Sequence, residues 1–309
     1  MTVINRLAVP PDQQTFVRGP TYCCWASEPF NSDWQISLGG VMLGKNSEWC
    51  ITKVDGTGLP DVRSSDVSEP YLHGVSALGD FAGARKITVE VTGKFGTPAL
   101  AWDKLRELAG VWQPNVQDQV LRFRMTGDRT LILLGHPRKL AEDTAGIRRG
   151  IVHATLEFFA DDPRFYDAVV QRHTLPLAPL SGEQGYCFTE PMCFSAPVCI
   201  PRGGTGSAII TNAGNARIAP IVVIIGDVAG VRAENTRTGE WWEWDASTGG
   251  GELWIDHLAR TVRLDGTDFY APLLPGSRFF WLDPGDTQVN VRVTSGEGYA
   301  SIRLRSGWF

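Results

Sequence analysis

The stretch best suited to chemistry is Glu240-Trp241-Trp242-Glu243-Trp244-Asp245, three acids threaded through three indoles. Carboxylates bind hydroxyl groups and indole faces offer flat apolar platforms, so the mixture suits a sugar. Side chains alternate along a strand, which puts Trp241, Glu243 and Asp245 on one face and Trp242 and Trp244 on the other. One face suits a core, the other a glycan or partner surface. Hydrolysis would need two carboxyl groups at a set separation, and nothing in the sequence supplies that. Trp241, Glu243 and Asp245 therefore stand as a candidate binding surface, with packing of the tryptophans as the plainer reading and no catalytic residue assigned.

Other motifs fall short by identifiable residues. Gly39-Gly-Val-Met-Leu-Gly44-Lys45-Asn46 approaches a phosphate-binding loop, but Asn46 stands where a magnesium-binding hydroxyl belongs. A helix should follow, yet Trp49 to Val54 alternates as a strand, so the glycines read as a turn. Gly74-Val-Ser76-Ala-Leu78 lacks the second glycine of a nucleophile elbow. His73, His136, His153, His173 and His257 are scattered and form no zinc-helix pattern. The six cysteines (Cys23, Cys24, Cys50, Cys187, Cys193 and Cys199) contain no Cys-x-x-Cys pair. Cys187, Cys193 and Cys199 are evenly spaced, but a metal would need a fourth ligand from elsewhere. A disulfide among them is open outside a reducing cytosol; buried free thiols are the simplest reading. No cofactor and no enzymatic activity are expected.

Composition narrows the class. The 309 residues suit two domains. Hydrophobic residues make up 43% and charged residues 20%, ordinary for a folded globular chain. Net charge is −5 without a basic cluster, so sequence-specific nucleic-acid binding has no electrostatic footprint. Arg outnumbers Lys, and no Lys follows Lys139, a bias that suits planar, weakly hydrated interface contacts. The longest apolar run, Ile218 to Ile225, is broken by Pro220 and falls short of the ~20 residues a membrane helix needs. Met1 to Pro11 shows no basic segment ahead of an apolar core, so neither a secretory leader nor membrane insertion is expected.

The elements that would position these residues are mostly strands. Residues 1–170 read as one unit. Trp34–Leu38 and Trp49–Val54 flank glycine turns, 55–85 reads as a long loop of an interfacial kind, and Lys86–Thr92 alternates strictly. One helix is expected from Thr97, an N-cap with Pro98 behind it, to Gly110, with Ala101, Leu105, Leu108 and Trp112 on its apolar face. Strands resume at Val120–Met125, Thr130–Leu134 and Ile151–Phe158; His153 falls on the outward side of the last. Residues 171–205 read as a proline-punctuated linker. Residues 206–309 repeat short strands about every ten residues, the pattern of a sandwich or barrel.

The order of elements carries a resemblance. An early strand pair, a long loop, the alternating Lys86–Gly93 strand, the Thr97–Gly110 helix and strands ending at Asp162-Pro163-Arg-Phe-Tyr166 resemble the N-terminal domain of siphophage distal tail proteins. The run Pro220–Gly226, Asn235–Gly239, Leu253–Asp256, Thr261–Gly266 and Phe280–Gly285 resembles their C-terminal galectin-like β-sandwich. The three cysteines at 187–199 depart from the family pattern. The resemblance implies a mainly β fold: a barrel-like hub domain with one helix, then the sandwich. It implies a structural virion protein at the tail tip, made in the host cytoplasm. Six copies would form a homohexameric ring with an opening for DNA, meeting the tail tube protein, the tape measure protein and tail-associated hub, lysin or receptor-binding proteins. The alternative expectation is a tail-tip module that binds host-surface glycans through Trp241, Glu243 and Asp245.

Overall fold

The computed structural model describes residues 33–309 apart from 69–70, 72, 74, 77–78, 115–116, 126, 128, 178–185, 189–197 and 201–205. Cys23, Cys24, Cys193, Gly74 and Leu78 lie outside the described residues, as does the start at Met1–Pro11. Contacts divide the chain into two units, whose described parts are 33–169 with 307–309, and 170–306.

The strands of the first unit are β1 (Gln35–Leu38), β2 (Val41–Gly44), β3 (Trp49–Asp55), β4 (Val62–Ser64), β5 (Val67–Ser68), β6 (Val75–Ser76), β7 (Asp80–Ala82) and β8 (Arg85–Lys94). Helix α1 (Pro98–Val111) is followed by β9 (Gln119–Arg124), β10 (Leu131–Asp143), β11 (Ile151–Ala160) and β12 (Phe165–Asp167). The antiparallel ladder runs β2-β1-β9-β10-β11-β8-β3, with β12 against β10. The Gly39-Gly40 pair has positive φ at both positions, 55° and 85°, the geometry of a tight hairpin turn. Strand β3 follows instead of a helix, which removes the phosphate-loop reading.

Alternation explains the core. Val152, Ala154, Leu156 and Phe158 of β11 and Ile87, Val89 and Val91 of β8 are buried on one side, while His153 faces outward and its Nδ1 lies 2.8 Å from Thr92 Oγ1. Helix α1 lays Ala101, Leu105 and Leu108 on this sheet. Thr97 Oγ1 accepts from the N–H of Leu100 at 3.2 Å, as an N-cap should. Gly110 does not end the helix; it continues to Val111, and Trp112 caps it through its N–H to the Leu108 carbonyl. Trp112 also donates its indole N–H to the Glu157 carbonyl at 3.2 Å.

The segment expected to be a long loop is a hairpin arm. Two short ladders, β4 with β7 from Val62↔Ala82 to Ser64↔Asp80 and β5 with β6 from Val67↔Ser76 to Ser68↔Val75, differ by one residue in register. Their residues lack the alternation of a half-buried strand because neither face of the arm meets a core, so the sequence showed no period.

The second unit contains β13 (Gln171–Leu177), β14 (Tyr186–Phe188), β15 (Val198–Ile200), β16 (Gly206–Asn212), β17 (Ile221–Asn235), β18 (Trp241–Ser247), β19 (Glu252–Asp256), β20 (Thr261–Leu264), β21 (Thr267–Asp268) and β22 (Gly285–Leu304). The last strand, β23 (Gly307–Trp308), pairs with β12 of the first unit. Strand β13 pairs with β22, so the second sheet begins inside the stretch read as a linker. Strands β14 and β15 pair with Cys187 opposite Cys199. The long strands β17 and β22 run side by side; β13 and β16 extend the sheet beyond β22, and β18 and β19 extend it beyond β17. Glycines 226, 296 and 298 cluster midway along this pair, where Gly226 faces Gly298, leaving room for the backbones to approach. Trp242, Trp244, Val222, Ile224, Ile255, Val289, Val291 and Ile302 fill the core. The protein is mainly β, with a sandwich-type second unit, as expected. Among the described residues no helix is long and apolar enough to cross a membrane.

Candidate functional site

The surface singled out in the sequence lies on β18. Trp242 and Trp244 are fully buried, while Trp241 and Glu243 are half-buried and Asp245 is exposed, so the strand splits into a core face and an outer face. Register places Arg232 of β17 directly opposite Glu243. The Arg232 guanidinium lies 4.1 Å from the centre of the Trp241 ring, and its Nη1 donates to Glu243 Oε2 at 3.1 Å. One face of the Trp241 indole is therefore taken by a cation, and Glu243 neutralises that cation. Cation–π contact and ion pair reinforce one another here. Trp241 and Glu243 are thus brought together through Arg232, a residue that sequence reasoning did not single out. Asp245 is tied through its backbone N–H to the Pro272 carbonyl at 2.8 Å. Among the described residues no three His, Cys, Asp or Glu side chains gather in metal-binding geometry.

The first unit offers a different kind of site. Its arm presents Val62, Phe81 and Tyr71 to solvent, Tyr71 at 97% exposure. Apolar side chains this exposed along a hairpin suit contact with another surface. The arm's base is fixed by Arg85. This side chain is buried, donates to the carbonyls of Pro163 at 2.5 Å and Gly56 at 2.7 Å and to that of Gly58, and lies 4.4 Å over the Phe165 ring. Burial lowers its pKa. Gly83 N–H closes the other side of the base on the Asp61 carbonyl at 2.7 Å. A half-open hollow of about 380 Å³ lies on the same unit. Phe123, Leu131, Phe165 and Trp308 line it, with Thr57 and Arg129 at exposed positions beside them.

Neither unit assembles a nucleophile, base and oxyanion donor from the described residues. Both present partly apolar surfaces on antiparallel sheet.

Residues 213–308 match the family model described as "Siphovirus-type tail component, C-terminal domain". The solved Dit protein of phage SPP1 (gp 19.1), titled a paradigm of the hub adsorption apparatus in phages infecting Gram-positive bacteria, has the same fold. The TM-score is 0.63 at 14% identity over 88% of this chain and 98% of that one. A chain of the phage P2 baseplate in its activated conformation aligns over 87% of this chain and 97% of its own, at 9% identity and a TM-score of 0.46. No curated protein matches. Both findings agree with the resemblance read from the sequence: residues 213–308 match the C-terminal domain of siphovirus-type tail components, and the chain shares the fold of the SPP1 Dit protein.

Proposed function

We propose that this protein is the distal hub of a long non-contractile tail. Six copies close into a ring through their first units, the ring joins the tail tube to the tail-tip proteins, and its opening passes DNA. The second units carry attachment points for receptor-binding or hub-associated proteins. The observation that carries this reading is the match of residues 213–308 to a siphovirus tail component domain, in a chain whose first unit bears an exposed arm. The fold shared with a protein titled a hub supports it.

The physics is consistent. A closed ring needs one heterologous interface repeated by rotation. The first sheet ends in β2 and β3, and strand edges supply backbone donors and acceptors for such a joint. A net charge of −5 gives a sliding DNA chain little to grip. The glycan-binding alternative has less support, because Arg232 already stacks on Trp241.

The test is the solution mass by light scattering with negative-stain images. A sixfold ring with a central hole is expected. A species that stays monomeric on its own and with the tail tube protein added would overturn the ring.

A further inference from the structure

We propose that the joint between neighbouring copies is a knob-in-pocket contact: the arm tip around Tyr71 of one copy seats in the hollow lined by Phe123, Leu131, Phe165 and Trp308 of the next. This rests on the ring reading and names the surfaces that make it.

Three observations lead there. The first is shape and polarity. The hollow of about 380 Å³ is apolar within and open to solvent, and its volume suits a large aromatic side chain with its neighbours. Tyr71 is such a side chain, and at 97% exposure it touches almost nothing of its own copy. A hairpin that holds an aromatic ring away from its own body forgoes the stabilisation that burial of its apolar surface brings, so a seat elsewhere recovers it.

The second is charge. Arg129 is exposed beside the hollow, its guanidinium 4.6 Å from the Trp308 ring, and it makes no ion pair among the described residues. The arm from 61 to 82 carries four acids, Asp61, Asp66, Glu69 and Asp80, against one basic residue, Arg63. Asp61, Asp66 and Asp80 make no ion pair among the described residues either. An acidic arm with an apolar tip complements an apolar hollow with a cation at its edge, and such complementarity sets register as well as attraction.

The third is reach and rigidity. Ten residues separate Asp61 at the closed base from Tyr71, a span of at most about 33 Å when extended. That is long enough to cross to a neighbouring copy. The two short ladders and the Arg85 clamp hold the arm's stem and base, so little entropy is lost there on docking. Knob and hollow are different patches of one chain, which makes the contact heterologous and repeatable around a ring.

The test uses two full-length variants. Tyr71→Asp destroys the knob and keeps the hollow. Thr57→Trp obstructs the hollow and keeps the knob; Thr57 is exposed, so the substitution leaves the fold intact, which far-ultraviolet circular dichroism checks. Each variant alone should be monomeric by light scattering. An equimolar mixture should give a dimer and nothing larger, because only one intact joint can form between the two kinds of copy. If wild type forms rings and both variants form them equally well, the inference falls and the ring reading stands. If the variants are monomeric but do not complement, the knob-in-pocket pairing falls. If wild type itself never associates, with or without tail tube protein, the ring reading falls and takes the joint with it.

Discussion

The indole N–H of Trp242 donates to Nε2 of His257 at 2.9 Å, and Nδ1 of His257 lies 2.8 Å from the Pro220 carbonyl. The carbonyl accepts, so Nδ1 carries the proton and Nε2 is the bare acceptor that the indole requires. One neutral tautomer satisfies both bonds, and an imidazolium satisfies only one. Phe280, with ring centres 4.4 Å apart, and Phe279 close the apolar surroundings. The bond ties β18 to the turn after β19, two elements that extend β17 at different points along its length.

This arrangement predicts an acid-sensitive second unit. Burial lowers the His257 pKa to about 4, against 6.5 unperturbed, with the Pro220 bond opposing weakly. Between these values the unfolded chain takes up a proton that the folded chain refuses. The stability contribution is therefore complete above pH 6.5 and is lost as pH falls towards 4, about 3 kcal/mol across the window. The neighbouring Asp256 carboxyl is shifted upwards, first by burial and against the N–H groups of Ala259 and Leu258. Its contribution runs the other way and fades as pH rises through its folded pKa. Denaturant unfolding followed from pH 7 to pH 4 should show the loss, and His257→Gln should flatten it. An unchanged slope in His257→Gln would assign the acid sensitivity to other groups.

Arg85 predicts a second outcome. Its guanidinium holds the carbonyls of Gly56, Gly58 and Pro163 together under the arm. Arg85→Met removes the three charged hydrogen bonds and the cation over the Phe165 ring, at a cost of about 1–3 kcal/mol. Arg85→Lys should recover only part of it, because an ammonium cannot reproduce the planar fork. Limited proteolysis should cut within 55–83 faster in both variants than in wild type; equal rates would mean the clamp does not hold the arm.

Gly56 gives a backbone counterpart. Its φ is +89°, and a Cβ there would meet the Lys86 carbonyl. Both strain and collision oppose any side chain, so Gly56→Ala should lower stability by about 2 kcal/mol or more. Thermal unfolding reads this directly. Gly58 has nothing within 4 Å of an added Cβ, and Gly58→Ala should be close to silent.

Periodicity is what made part of this fold legible. Lys86–Thr92 and Ile151–Phe158 alternate because one face meets a core, and both are strands with the expected faces inward. Thr97 and Pro98 mark a helix start because capping is local chemistry. The arm was illegible because an element exposed on both faces carries no alternation. Arg85, Arg232 and His257 were missed for a related reason. Their partners lie 27, 11 and 37 residues away at the closest carbonyl, carboxylate or carbonyl respectively, so no short motif encodes them. The Trp241 face was half legible: alternation separated core from surface, but the cation that occupies the ring comes from a neighbouring strand.

That cation decides the last prediction. A sugar platform needs a free indole face, and Arg232 lies 4.1 Å over Trp241 while Glu243 holds it in place. Removing the cation by Arg232→Ala frees the face and leaves Glu243 without its partner. If the Trp241 surface served glycans, Arg232→Ala would strengthen binding and Trp241→Ala would abolish it. If the cluster instead joins β17 to β18 for a protein partner, both variants should lose about 0.5–2 kcal/mol of stability, the range for a partly exposed cation–π contact with its ion pair. Neither should then change retention on a glycan array, and the structural reading predicts this second pattern. Saturable glycan binding by wild type that disappears in Trp241→Ala would reverse it and turn the second unit from an attachment scaffold into a receptor-contacting module.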